Sequence, residues 1–243
     1  MPGKTIIQIN NLSVQIGNSA ILSNINLDIG EGTIIGLLGP SGAGKTTLVR
    51  SIMGMCRFKG EIKISGFKIP ALMAASEIGY MAQSDALYEE LSALDNLLFF
   101  GSLFDIKAGE AKARAMELLK FVGLEKDKNK PVKNFSGGMK RRLSLAIALI
   151  HSPKVLILDE PTVGIDPLLR KKFWDEFLRL KKEGCTIFVT THVMDEASHC
   201  DEIMLMRGGH IIAGGTLPFI LSESKTENME DAFLYYSMQG EEH

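Results

Sequence analysis

The chain has 243 residues, 45% of them hydrophobic, with a formal net charge of −2 and a pI near 6.2. That length suits one large domain, or a core carrying a subdomain, with ample apolar content for a buried interior. The charge balance leaves no electrostatic footprint for nucleic acid, and no apolar run approaches the ~18–20 residues that cross a bilayer.

The opening "MPGKTIIQIN" has one Lys and no apolar stretch of signal-peptide length. Apolar, β-branched runs bounded by turn residues predict strands near 4–9, 12–16 and 25–29. "GTIIGLLG" (32–39) is apolar on both faces, as a buried parallel strand is. It runs into the Gly-rich "GPSGAGKTT" (39–47), and "KTTLVRSIMG" (45–54) predicts a helix closed by Gly54. Short strands are expected at 60–64 and 77–82. From about Leu91 to Ile150 the pattern turns helical, with Ala115, Leu118, Leu119 and Val122 at the spacing of one helix face. The buried strands "KVLILDE" and "CTIFVTTH" follow, with the helix "PLLRKKFWDEFLRLKKEG" between them. The tail from Ser222 carries six acidic residues against one Lys around an apolar "AFLYY" that is expected to dock. Cys56, Cys185 and Cys200 are scattered without CxxC spacing, which fits a reducing cytosol. The whole predicts an α/β nucleotide-binding core with a helical insert.

The chemistry begins with "GPSGAGKT", which fits G-x-x-x-x-G-K-[ST] through Gly39, Gly44, Lys45 and Thr46. Glycines let backbone N–H groups curl round phosphates, the Lys reaches β/γ oxygens and the Thr hydroxyl ligates Mg²⁺. "VLILDEP" places Asp159 and Glu160 at the C-terminal end of a strand, where α/β sheets present ligands. There Asp159 is expected to hold the Mg²⁺ shell and Glu160 to polarise the attacking water. Asp159 lies 114 positions after Lys45, so the helical insert must fall between them. Gln83, taken alone, is an ordinary strand-end residue, but it stands where core meets insert. His192 ends the strand after that of Asp159 and is placed to sense a γ-phosphate. A rival reading takes His192, Asp195, Glu196 and His199, at i, i+3, i+4 and i+7, as a metal-binding face with Cys200 adjacent, although the spacing matches no known zinc pattern. The run Lys140–Arg142 is expected to be a solvated helix face.

A second anion-gripping stretch, "FSGGMKRR" (135–142), precedes another helix. One chain has one γ-phosphate to hold, and the first loop already surrounds it. The second grip is useful if it meets the nucleotide of another copy. Two chains on a two-fold axis would then bury two ATPs, each between one Gly39–Thr47 loop and the other chain's Ser136–Gly138. Hydrolysis would release the contact and part the halves.

Over nearly its whole length the sequence resembles the ATP-binding cassette (ABC) ATPases. The motifs follow in that family's order: Walker A ("GPSGAGKTT"), Q-loop (Gln83), signature ("FSGGM"), Walker B ("VLILDE"), D-loop ("VGIDP") and switch histidine (His192). The resemblance implies a P-loop NTPase fold, α/β with a mostly parallel sheet, an N-terminal antiparallel β subdomain and an inserted helical subdomain at about 84–150. It implies one domain over 1–221 with a partly docked acidic tail over 222–243. It implies ATP held by Gly39, Pro40, Ser41, Gly42, Ala43, Gly44, Lys45, Thr46 and Thr47. Ser136, Gly137, Gly138, Met139 and Asp166 would complete the partner's site, Mg²⁺ would sit on Thr46, Gln83 and Asp159, and Glu160, Gln83 and His192 would be the catalytic set. A coupling helix of a separate transmembrane permease would dock at the Q-loop and insert, with the chain peripheral on the cytoplasmic face as a homodimer or beside a paralogous ATPase. Met139, "IGYMAQSDALYEELSALDNLLFFGSLF" and "MEDAFLYYS" are similar to the branch serving exporters of drugs, lipids or polysaccharides. An importer ATPase and a non-transport mechanochemical ABC protein are the alternatives. One position departs from the family: Ile16 stands where an aromatic commonly stacks on adenine.

Overall fold

The computed structural model describes residues 4–84 and 86–239. In chain order the elements are β1 (Thr5–Ile16), β2 (Ser19–Gly30), β3 (Ile34–Leu38), α1 (Lys45–Ile52), β4 (Lys59–Ile64), β5 (Phe67–Lys68), α2 (Leu72–Ala75) and β6 (Ile78–Met81). There follow α3 (Ala93–Ser102), α4 (Ala108–Phe121), α5 (Gly137–Ala148), β7 (Val155–Asp159), α6 (Pro167–Lys182), β8 (Thr186–Thr191), β9 (Glu202–Arg207), β10 (His210–Gly215), α7 (Leu217–Ser224) and α8 (Met229–Gln239).

These strands form two sheets. A four-stranded antiparallel sheet has the order β2-β1-β4-β5, and a six-stranded sheet has the order β10-β9-β3-β8-β7-β6. In the second, β9, β3, β8, β7 and β6 run parallel and β10 pairs antiparallel at one edge. The fold class is the expected one. The strands predicted at 4–9 and 12–16 are one strand, because β1 stays paired with β2 through register shifts around Asn11, whose φ is 51°. An irregularity that looks like a turn in the sequence is absorbed as a bulge.

The period-2 alternation of β3 explains how the layers assemble. Ile35 and Leu37 face α1 and the antiparallel sheet, joined by Val155, Ile157 and Phe188. Ile34 points the other way, with Leu156, Leu158, Ile187 and Val189, into a core built with α3 to α6. Helix α1 is therefore wedged between the two sheets, with Leu48, Val49 and Ile52 fully buried. Each such side chain contributes roughly 1.5–3 kcal/mol by leaving water. Helix α4 buries Ala115, Leu118 and Leu119, the face its periodicity predicted. A third cluster packs Met229 and Ala232 of α8 against Ile203, Leu205 and Ile220. Residues 240–243 of the acidic tail lie outside the described residues. Among those described, no helix is long and apolar enough to cross a membrane.

The β9–β10 hairpin, which the sequence reading did not predict, braces the first phosphate loop. The Gly209 N–H donates to Ala43 O at 2.9 Å. A Cβ added to Gly39 would lie 2.2 Å from the Met206 carbonyl oxygen, so only glycine lets the loop pass so close to β9.

Candidate active site

The loop from Gly39 to Thr47 leaves the buried end of β3 and enters α1 through Gly44, whose φ of 108° favours glycine. No side chain caps this helix start and its first turn holds no acid. Its free N–H groups and the positive end of the helix dipole therefore point at whatever occupies the loop. The cleft there measures about 320 Å³ and is lined by Ser41, Gly42, Gly44, Lys45, Thr46 and Thr47 of the loop, with Ile21, Gln83 and Glu160. Pro40 and Ala43 are not among its lining residues; the Ala43 N–H donates to Pro40 O at 3.2 Å within the loop.

Lys45 is 5% exposed, and its Nζ donates to Gly39 O at 2.6 Å and Pro40 O at 3.0 Å. The same amine lies 3.7 Å from Glu160 Oε1. Burial pulls its pKa below the ordinary lysine value, against the opposing charges of Glu160 and Asp159. His192 Nδ1 approaches Glu160 Oε1 to 3.3 Å from the other side. One carboxylate oxygen is thus held between Lys45 and His192.

Asp159 ends β7 fully buried. Its Oδ1 accepts from the Thr190 hydroxyl, and among the described residues its Oδ2 has no hydrogen-bond partner. An ionised carboxylate oxygen so buried is costly unless something compensates it. Glu160 follows with φ 54°, a left-handed conformation costing on the order of 1–3 kcal/mol for a non-glycine residue. Its N–H is caught by both O and Oγ1 of Thr190, each at 3.1 Å. Thr190 was not singled out in the sequence, although the polar "TT" ending β8 after the apolar "IFV" was the available signal.

The second loop stands apart. Ser136 is the N-cap of α5, its hydroxyl accepting from the Met139 N–H at 3.3 Å, and Gly137 and Gly138 form an acid-free first turn. Gly138 adjoins the Gly164 carbonyl, so this loop and the segment leading to Asp166 are neighbours. Asp166 caps α6, accepting from the Leu169 N–H at 3.0 Å. Neither Ser136–Met139, nor Asp166, nor Ile16 lines the cleft around Lys45. Ile16, the last residue of β1, is 62% exposed.

The structure corrects the expectation for the basic run. Arg141 is 8% exposed and donates to four backbone carbonyls, those of Ala82, Gln83, Asp159 and Glu160. Lys140 pairs with Glu89 and Arg142 binds the carbonyls of Gly138, Val122 and Gly123. The face is tied down because each cation reaches a different acceptor. The rival metal face also dissolves locally: Met194–His199 is a 3-10 turn, Glu196 accepts from the Thr162 hydroxyl at 2.6 Å, and His199 stacks on Trp174. Among the described residues no group of three or more His, Cys, Asp or Glu comes together. Burial pushes the Cys185 and Cys200 thiols up to about 12.

A second groove, of about 590 Å³, opens between the core and the helices, lined among others by Arg50, Met55, Tyr80, Gln83, Phe100 and Ile147. Gln83 is shared by the groove and the phosphate cleft.

A Gly-rich loop feeding a helix from β3, an acidic pair ending β7, the parallel strand next but one, and a lysine between them define a P-loop nucleoside triphosphatase. The family model of the ABC transporter matches residues 22–163. The linearmycin resistance ATP-binding protein LnrL of Bacillus subtilis (strain 168) is 40% identical, the match covering 87% of this chain and 69% of that protein. The Nod factor export ATP-binding protein I of Rhizobium meliloti (strain 1021) is 40% identical over 89% of this chain and 66% of its own length. The dimeric, ADP- and Pi-bound post-hydrolysis structure of an ATP-binding cassette superposes with a TM-score of 0.81 at 27% identity, over 87% of this chain and 99% of that one. The chain belongs to the ABC transporter family and carries its ATP-hydrolysing cassette, with relatives in export-type systems. It spans from 32% to 69% of the length of the curated relatives it matches.

Proposed function

We propose that this chain closes on ATP with a second cassette and drives export through a separate transmembrane permease. The observation that carries the reading is the pair of anion-binding helix starts, one inside the phosphate cleft and one outside its lining. A copy related by a two-fold axis brings its Ser136–Gly138 turn over the γ-phosphate held by Gly39–Thr47, with Met139 and Asp166 beside it. The second cassette is an identical chain or a paralogue. The likeness to a dimeric cassette supports this arrangement.

The residues fit Mg²⁺. Asp159 Oδ2, without a hydrogen-bond partner among the described residues, the Thr46 hydroxyl and the Gln83 amide oxygen would supply an all-oxygen donor set suited to a small hard dication. When bound, Mg²⁺ neutralises charge on the β- and γ-phosphate oxygens. On nucleotide entry Lys45 exchanges the Gly39 and Pro40 carbonyls for phosphate oxygens. Glu160, released from Lys45, polarises the attacking water, and His192 orients that carboxylate while sensing the γ-phosphate. Loss of the γ-phosphate removes the trans contact and the clamp opens.

The groove beside Gln83 takes the coupling helix of the permease, and its apolar wall of Met55, Phe100 and Ile147 suits a helix. A residue shared by groove and cleft links docking to the phosphates. The chain would sit peripherally on the cytoplasmic face of the membrane. The names of the Nod factor export and linearmycin resistance relatives support export.

Because each complete site needs two chains, specific ATPase activity of the isolated protein should climb with protein concentration, nearly in proportion while monomer predominates. Activity per chain that stays flat across a hundredfold dilution of light-scattering monomer would rule out the shared site. Ile16 yields a second expectation. A stacked aromatic adds about 1 kcal/mol, so Ile16→Tyr should tighten ATP binding roughly fivefold and sharpen preference over GTP. Unchanged affinity in a fluorescent-nucleotide titration would show that the adenine does not sit there.

A further inference from the structure

We propose that Arg141 is a positioning residue for hydrolysis: from the helix carrying the second anion loop, its guanidinium holds the backbone of Glu160 and Gln83 in place. Four carbonyls converge on it, two from the end of β6 and two from the end of β7. The Gln83 oxygen lies at 2.8 Å and the Ala82 oxygen at 3.2 Å. Only arginine offers five donors in a rigid planar fork, which is what spanning two separate segments requires. The contact to Glu160 O acts where it matters. Glu160 sits at φ 54°, and its N–H is already fixed by Thr190. With Arg141 on the carbonyl, the peptide groups on both sides of this left-handed residue are anchored. The side chain therefore leaves the strand towards Lys45 and His192. A conformation of this kind persists only where its surroundings over-determine it. Arg141 also sits on α5, whose first turn is the Ser136–Gly138 loop, so one rigid helix bears both the grip offered to a partner and the brace of its own chain's carboxylate. The proposal rests on Glu160 being the base.

The test is a double-mutant cycle on the full chain, with steady-state and single-turnover ATP hydrolysis and a thermal midpoint for each protein. Arg141→Lys keeps the cation but loses the fork. A misplacement of about 1 Å costs on the order of 10²-fold, so turnover should fall roughly 30- to 100-fold with KM within about twofold of wild type. In a Glu160→Gln background the same change should cost several-fold less than in wild type, because the part of its effect that runs through the Glu160 carboxylate is gone and only the hold on Gln83 remains. Arg141→Gln, shorter and neutral, should behave alike and serves if the lysine variant does not fold. Wild-type turnover in a folded Arg141→Lys, or an equal loss in both backgrounds, overturns the proposal. Retained turnover in Glu160→Gln alone overturns the base assignment, and the two failures are read from different proteins.

Discussion

Glu160→Gln should lower ATP turnover by about 10³-fold, the scale of a lost general base, while leaving nucleotide binding intact. The amide is nearly isosteric and keeps its neighbours: the Glu160 N–H still reaches Thr190 and the carbonyl still accepts from Arg141, so the backbone is unchanged. What disappears is the charge between Lys45 and His192. Lys45 is then free to engage phosphate without breaking an ion pair, and a γ-phosphate no longer faces a carboxylate. Both effects favour the ATP-bound state, so the variant should accumulate as an ATP-dependent dimer on size exclusion. Turnover within tenfold of wild type would refute the role given to Glu160.

What the sequence disclosed and what it concealed divide along a physical line. Phosphate binding by backbone demands glycines, and a parallel strand demands an apolar run, so "GTIIGLLGPSGAGKT" could be read directly. Asp159 and Glu160 were legible for the same reason, as charges ending a buried strand. The roles that stayed hidden act at long sequence separation on backbone atoms, which leave no residue-type pattern. Arg141 binds carbonyls 58 and 59 positions away on one side and 18 and 19 on the other, yet in sequence it is one cation in a run of three. Thr190 reaches Asp159 only because β7 and β8 are in register. The β9–β10 hairpin was missed although "EIMLMR" is a short apolar run bounded by charges, and it proved to be the support under the first loop. Ser136 was legible as the start of α5 because an N-cap serine before two glycines is itself a local signal.

Gly137→Asp separates a loop that serves its own chain from one that serves a partner. Gly137 is the first residue of α5, and a Cβ built there meets nothing within 4 Å. The side chain therefore has room in the lone chain. A carboxylate at a helix N-terminus adds about 0.3–1 kcal/mol of favourable dipole interaction, so the thermal midpoint should hold or rise slightly. Nucleotide affinity of the dilute monomer should stay within twofold, because this residue is not part of the cleft lining. The shared site is a different matter. A carboxylate about 4 Å from a phosphate charge costs on the order of 4 kcal/mol at an intermediate effective dielectric, nearly 10³-fold in closure. ATP-dependent dimerisation and turnover should both collapse, whereas Gly137→Ala should retain much of each. Mixing Gly137→Asp with Glu160→Gln sharpens the case, because a mixed pair places an intact cleft of the first chain against an intact turn of the second. Two inactive proteins should then recover activity on mixing. Loss of monomer nucleotide binding in Gly137→Asp would instead place the second loop in its own chain's site.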